Sequence, residues 1–285
     1  DLSYSLFEGA VMSGLDFSGG NLTGSDISET DFRNANLSSA VLSGISGNWS
    51  DLRHANMTEA VFDTAGTTSL YGALLAGATL KNAELSHAIL SYCDLSTGLT
   101  DLQGATMVGT KLVGANLAHA DLTSVKAHGV TADQANFTGA TLTKSDFRLD
   151  LNSGHTSLEK AYFCGATLSL TNFGDAVLTS AYFPTEDSKV PGPDGALITC
   201  AAVSLTDAEA KTNGQTLCPN GKHAATGSCS GDEWLPPVAP EVPCCTPAKI
   251  DGTWVFCPPT GKIGVDCETD CDCRSRSCKA DKTCG

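Results

Sequence analysis

Large apolar residues recur at every fifth position through the first two thirds of the chain. They fall at Phe7, Met12, Phe17, Leu22, Ile27, Phe32, Leu37, Leu42, Leu52, Met57 and Phe62, with only Gly47 breaking the column. The pattern resumes in shifted register at Leu70, Leu75, Leu80, Leu85, Leu90 and Leu95, and again at Leu102, Met107, Leu112, Leu117, Leu122, Phe137, Leu142 and Phe147. A last set runs through Leu158, Phe163, Leu168, Phe173, Leu178 and Phe183. Two residues before most of these sits a small residue, as at Ala35, Ala55, Ala83, Ala115, Ala135, Ala161 and Ala176. Asp or Asn commonly lies between the two, and Ser or Thr follows. A period of five matches neither the 3.6 of a helix nor the 2 of a flat strand. It predicts a coil that turns a corner every five residues, with the large and the small residue both pointing inward. Where the large position shrinks to Gly47, Ala127 or Ala132, the small one before it grows to Ile45, Val125 or Val130. Such trading of volume is what a shared close-packed interior requires.

The pattern resembles the pentapeptide-repeat family, whose motif reads Ala-(Asp/Asn)-Leu-x-x. Ala35-Asn36-Leu37, Ala55-Asn56-Met57, Ala115-Asn116-Leu117, Ala120-Asp121-Leu122 and Ala135-Asn136-Phe137 match it closely, and the resemblance covers about residues 5–183. It implies an all-β fold, a right-handed four-sided β-helix with four pentapeptides per coil. About thirty-five pentapeptide positions would then make eight or nine coils, a rod roughly 40 Å long at a strand spacing of ~4.8 Å. Each coil would contact only its neighbours. Three register shifts place extra residues at 63–69, 96–101 and 148–157, which are expected to protrude at corners with Gly66, Gly98 and Gly154 as turn residues. Simple surface bulges are the plainer expectation for them, although loops on a rigid scaffold are also where function tends to sit.

The period stops at Pro184, which divides the chain into a repeat domain at 1–183, a Pro/Gly-rich linker or strap at 184–199 and a cysteine-rich domain at 200–285. Thr206-Asp207-Ala208-Glu209 has the spacing of a capping box and predicts one short helix ending near Gly214. The tail holds Cys200, Cys218, Cys229, Cys244, Cys245, Cys257, Cys267, Cys271, Cys273, Cys278 and Cys284. With few large apolar groups around them, these predict a disulfide framework formed in an oxidising compartment. Zinc is the alternative, but Cys267, Cys271 and Cys273 fit paired half-sites loosely and leave the other eight unexplained. Eleven is odd. Cys164 follows the inward Phe163, should face outward, and is expected to pair with a tail cysteine, Cys200 being the candidate; Cys93 takes a small inward position and should be a buried free thiol. The tail is expected to cap the last coil, because an open β-helix end invites edge pairing. Repeats begin at once, at Leu6 and Phe7, so the first coil is expected to be exposed or covered by a partner. The chain starts at Asp1 with neither Met nor a signal segment, which suggests that any targeting peptide has been removed.

Composition sharpens this. Charged residues make up 17% and aromatic residues 6% of the chain, against roughly 25% charged in ordinary domains, which argues against a typical enzyme core. The net charge of −15 disfavours a nucleic-acid partner, and no apolar run reaches the ~20 residues of a spanning helix. Residues 1–184 carry 18 acidic and 8 basic side chains and the remainder 14 and 9, so the acids form no single block. His54, His87 and His119 should occupy outward corners, the first and last on one face three coils apart and the second on another face. No nucleophile elbow, phosphate loop or acid pair is present. We expect no catalytic residues, no metal site and no cofactor. Asn21, Asn36, Asn48, Asn56 and Asn136 head Asn-x-Ser/Thr sequons, glycan acceptors in a eukaryotic secretory protein, though the repeat itself generates that spacing. Trp49 stands out as an exposed aromatic able to contact a partner, or equally to fold over a corner.

Three roles follow. The first is a non-catalytic scaffold or accessory protein docking with other protein subunits, without inserting into a membrane. The resemblance gives it one concrete form, a lumenal subunit of a photosynthetic membrane complex, because the family is abundant in photosynthetic lineages and occurs in the thylakoid lumen. The second is a secreted structural protein that is glycosylated and stacks end to end. The third, also implied by the resemblance, is an acidic DNA-mimic inhibitor.

Overall fold

A computed structural model describes residues 1–62, 68–96 and 98–183 in full, together with the backbone of four short strands beyond them. The repeat region is a four-sided parallel β-coil. Leu6 pairs with Asp26, Val11 with Asp31, Asp16 with Asn36 and Asn21 with Val41, so one turn of the coil takes twenty residues. We number the sides 1 to 4 by these four pairs. Side 1 runs from Leu6 to Val177, side 2 from Val11 to Tyr182, side 3 from Asp16 to Thr167 and side 4 from Asn21 to Asn172.

Each pentapeptide contributes one short bridge and one corner. The corner is a β-turn closed by a bond such as Ala10 N–H to the Phe7 carbonyl, 2.8 Å. Its third residue takes a positive φ, from 55° at Glu29 to 71° at Gly104, as a type II turn demands. Many of these corners are not glycine. Tyr, His, Trp, Asn and Lys occupy them, held there because the ladders above and below fix the backbone.

The core is a stack of inward residues. From Leu22 onward the large residues and the alanines two positions earlier are buried. Ile45, Val125 and Val130 fill the interior opposite the reduced residues Gly47, Ala127 and Ala132, all of them buried. Toward the far end the aromatics align coil on coil: Phe137 stacks on Phe163 at 4.9 Å and Phe163 on Phe183 at 4.4 Å, with ring planes within 7°.

Not every inward small position is apolar. Thr30, Thr110, Ser145 and Thr171 are fully buried there, and each hydroxyl donates to the carbonyl of a large residue one coil earlier: Phe7, Leu85, Leu122 and Leu142, at 2.5–2.7 Å. Cys93 follows the same rule, its thiol donating to the Leu70 carbonyl at 2.8 Å. It is free and buried, and burial pushes its pKa well up.

The extra residues are absorbed at corners. Ser46 pairs with Ser69, Thr79 with Asp101 and Thr131 with Ser157, spacings of 23, 22 and 26 in place of 20, after which the ladder continues in register. Residues 63–67 and 97 lie outside the described set. Beyond Phe183, β1 (Ser188–Pro191) pairs antiparallel with β2 (Leu197–Cys200), and β3 (Ala248–Ile250) with β4 (Thr253–Val255). The expected helix after Thr206 and the tail disulfide framework lie outside the described residues.

The two ends of the rod differ. Leu2, Phe7, Met12 and Phe17 of the first coil are only half-buried, whereas Phe173, Leu178 and Phe183 of the last are fully buried.

Candidate functional site

The largest departure from the regular coil is the loop between Phe147 on side 4 and Leu158 on side 1. Asp150 and Gly154 exchange two backbone bonds, 3.0 and 2.8 Å, closing a tight antiparallel hairpin. The Asp150 carboxylate accepts the amides of Asn152 at 2.9 Å and Ser153 at 2.6 Å. These bonds, Ser153 first, hold its pKa below the usual carboxylate value. The hairpin lies back across the rod. A β-carbon on Gly129 would sit 2.8 Å from the Ser153 β-carbon and 3.0 Å from the Gly154 carbonyl oxygen, and one on Gly109 would meet the Ser153 hydroxyl at 2.8 Å. Thr156, buried, ties the loop's end to the coil by donating to the Arg148 carbonyl and accepting the Gly129 amide. Leu151 is left at the tip, 92% exposed.

At the base of this loop Arg148 grips Asp146 with bonds of 2.7–3.1 Å, and His128 Nε2 lies 3.0 Å from the same carboxylate, near enough for an ion pair but without hydrogen-bond geometry. Burial pushes the Asp146 carboxyl up, but the Arg148 and His128 contacts outweigh it and leave the pKa lowered. A lowered native pKa means that the folded protein binds this proton less well than the unfolded chain. The contribution is therefore complete above the unfolded carboxylate value of about 3.9 and disappears as pH falls through the native value. Asp146→Asn is accordingly expected to destabilise the protein at pH 7 by about 1 kcal/mol, an effect that fades as pH falls below the ordinary carboxylate value and through the lowered native one. Urea unfolding of both proteins across that range checks it.

A second loop, 96–99, leaves Leu99 75% exposed. It stands at the corner between sides 2 and 3, diagonally across the rod's cross-section from the corner between sides 4 and 1 that carries Leu151.

The other candidate residues are distributed as follows. Asn21, Asn36 and Asn56 stand on the outer face of the sides and Asn136 takes the same outward position but is buried; in each the Asn side-chain oxygen accepts the backbone amide of the Ser or Thr two residues on. The amide nitrogens donate to Asp1, Asp16, Asn36 and Asn116 of the preceding coil at 3.0–3.2 Å. These sequons thus serve a hydrogen-bonded ladder between coils. Asn48 differs, accepting from the Ser69 hydroxyl at 2.6 Å and the Tyr71 amide at 3.2 Å.

Trp49 is half-buried rather than fully exposed. It lies over the Gly72 corner, where an added β-carbon would fall 1.6 Å from its ring, and meets Tyr71 edge-on at 5.3 Å. The histidines repeat that arrangement: His54 covers Gly77, His87 covers Gly109 and His119 covers Gly139. His54 and His119 share side 2, three coils apart, and His87 sits on side 4. Among the described residues no three His, Cys, Asp or Glu side chains form a metal-binding group, and no helix is long and apolar enough to cross a membrane.

Cys164 occupies the outward position after Phe163 yet is only 2% exposed, and it is disulfide-bonded. The outward position did not make it accessible. Its neighbour Tyr162, also outward, is buried and stacks on Tyr182 at 5.1 Å. Cys93 is free, and the side chains of the tail cysteines from which a partner for Cys164 is expected lie outside the described residues.

The acids form pairs, not a stripe. Asp31 and Asp51 are bridged on side 2, where Arg33 and Arg53 bind them at 2.6–2.7 Å. Arg33 holds the Asp31 carboxyl below its ordinary pKa. The next residue in the column is Leu74.

The family model described as pentapeptide repeats matches eight copies, over residues 1–28, 30–65, 68–97 and 100–139. No curated protein matches the chain. Solved structures similar to it include trypsin-treated QnrB1, a plasmid-mediated fluoroquinolone resistance protein, with 19% identity over 63% of this chain and 84% of that one and a TM-score of 0.46. HetL, a pentapeptide repeat protein involved in heterocyst differentiation regulation in the cyanobacterium Nostoc sp. strain PCC 7120, shares 21% identity over 77% of this chain and 92% of its own, with a TM-score of 0.31. A pentapeptide repeat protein from the Arabidopsis thaliana thylakoid lumen shares 20% over 60% and 69%, with a TM-score of 0.14. The twenty-residue coil, the five-residue period and the family match agree: the rod of this chain, matched by the family model between residues 1 and 139, is built of pentapeptide repeats.

Proposed function

We propose that this protein is a non-catalytic scaffold that engages other protein subunits through the loops its rod holds at fixed corners. The hairpin at 150–154 carries the proposal. Its turn is closed by its own backbone and by Asp150, its base rests on two coils, and its outermost side chain is Leu151. A single exposed leucine is ordinary on a protein surface. One held out on an internally bonded turn has its ordering cost met before binding, which favours association. Leu99 offers a second apolar point elsewhere on the rod.

The disulfide at Cys164 supports an oxidising compartment. The concrete form we propose is an accessory subunit in the thylakoid lumen, bound to a photosynthetic membrane complex and not itself inserted in the membrane. Asp31 and Asp51, already neutralised by arginines, weigh against an acidic DNA mimic. The test is co-purification from the native source with the unaltered chain and with Leu99→Asp and Leu151→Asp. Both side chains lie outside the core, so the melting temperature should stay put while partner recovery falls by about tenfold or more. Equal recovery by all three proteins overturns the proposal.

A further inference from the structure

We propose that residues 184–200 form a strap that turns back over the outer face of side 2 and is clasped there by a disulfide between Cys164 and Cys200. Outward positions on this side change character along the rod. In its column of bridge residues Asp31, Asp51, Leu74, Asp94 and Asn116 are half-buried, and then Asn136 and Tyr162 are buried. Cys164, two residues after Tyr162, is buried as well. The same column on the other three sides shows no such change: at the far end Thr167 on side 3 is exposed, and Asn172 on side 4 and Val177 on side 1 are half-buried. The cover at that end of the rod is one-sided.

The path of the chain supplies the occupant. The described rod ends at Phe183 on that same side, one residue past Tyr182, which bridges Tyr162. β1 starts five residues on, at Ser188, and β2 returns antiparallel so that Cys200 faces Ser188 directly. Five residues span at most about 18 Å, and facing residues of an antiparallel pair stand about 5 Å apart. Cys200 is thus kept within reach of the coil that carries Cys164, thirty-six residues earlier in the chain. Cys164 is disulfide-bonded and Cys93 is free. Cys200 is the one cysteine after Phe183 that lies on a described strand, and the next, Cys218, is eighteen residues further along.

The strand register suits this seating. Strand alternation places Cys200, Ile198 and Val190 on one face of the β1–β2 ladder and Thr199 and Lys189 on the other. Laid on side 2, the apolar face meets the stacked Tyr162–Tyr182 pair and the polar face is left to solvent. Burial already holds the Tyr162 phenol above its ordinary pKa, as expected of an outward tyrosine under a cover.

Closing the clasp takes one proton and one electron from each thiol as the S–S bond forms. The two electrons reduce the disulfide of a thiol–disulfide oxidoreductase, which takes up both protons and leaves as the dithiol. Once closed, the strap keeps other subunits off the far end of side 2 and leaves the corner loops as the exposed apolar points.

Proteolysis of the full chain without reduction, followed by mass spectrometry, tests the clasp, and nitration by tetranitromethane tests the cover. A linked Cys164–Cys200 peptide is expected. Tyr162 should be nitrated about tenfold or more slowly than Tyr4, which is 77% exposed. Cys200→Ser should lose most of that protection. Cys218→Ser, which also removes a tail cysteine, should keep both the linked peptide and the protection, so a general failure of the tail is told apart from loss of the clasp. Leu151→Asp should change neither reading, which separates the strap from the loop contacts proposed above. Cys164 joined to any other cysteine, Tyr162 reacting as fast as Tyr4 in the unaltered chain, or equal protection with and without Cys200 overturns the proposal. Far-UV circular dichroism confirms that each variant keeps its coil.

Discussion

Phe163→Ala is expected to destabilise the rod by about 3–5 kcal/mol, the range for removing a fully buried aromatic ring. Phe163 is the middle ring of the Phe137–Phe163–Phe183 stack and also meets Phe173 edge-on at 6.0 Å. Truncation leaves a void bordered by three rings that are themselves held by β-ladders and cannot close around it. Because each coil is supported only by its neighbours, the loss should be local before it is global. Hydrogen exchange should show the bonds from Phe163 to Tyr182 and from Tyr182 to Ala161 opening first, with coils two to four protected nearly as before. Urea unfolding should move from one transition toward two. Phe7→Ala, on the half-buried first coil, should cost far less, and equal costs at the two positions would contradict this account of the core.

Gly129→Ala is expected to expel the 150–154 hairpin. The positive φ of 64° is not the obstacle, since His119, Lys144 and Gln134 hold the same conformation at 61–63°. What distinguishes Gly129 is what lies over it: the Ser153 and Asp150 β-carbons at 2.8 and 3.1 Å and the Gly154 carbonyl oxygen at 3.0 Å from the new methyl position. A methyl group there must lift the loop's own backbone, a cost of about 1–3 kcal/mol. Exchange of the Asp150 and Gly154 amides should accelerate, and partner recovery should fall as it does for Leu151→Asp. Gly139→Ala is the control. There the new methyl meets the His119 ring, at 2.5 Å, and a ring can swing aside, so its effect should be smaller.

These two cases show what could be read from the residues alone. The five-residue column and the exchange of volume at Gly47, Ala127 and Ala132 are properties of inward side chains, and they appear in the chain as a local pattern. The partner of Gly129 does not. Gly129 meets Gly154 twenty-five residues further on, within a return of the coil that the loop itself lengthens to 26. Trp49 over Gly72 is likewise a relation at 23 residues, set by the insertion between Phe62 and Leu70. Such pairings require the coil length and every insertion to be known first. The buried hydroxyls were hidden for a different reason. Thr30, Thr110 and Thr171 are as small as the motif asks, but their value lies in a carbonyl one coil away. Cys164 shows the converse, an outward position that is nonetheless buried.

The way the rod absorbs its extra residues has a further consequence. Three, two and six additional residues enter at three corners, and each time the next bridge forms at the next step of the same column. Loop length and coil register are therefore independent variables. A lineage of such proteins can lengthen, shorten or exchange a corner loop without renegotiating the interior, and a laboratory can do the same. Partner choice and structural integrity are then carried by separate parts of the chain, free to change at different rates.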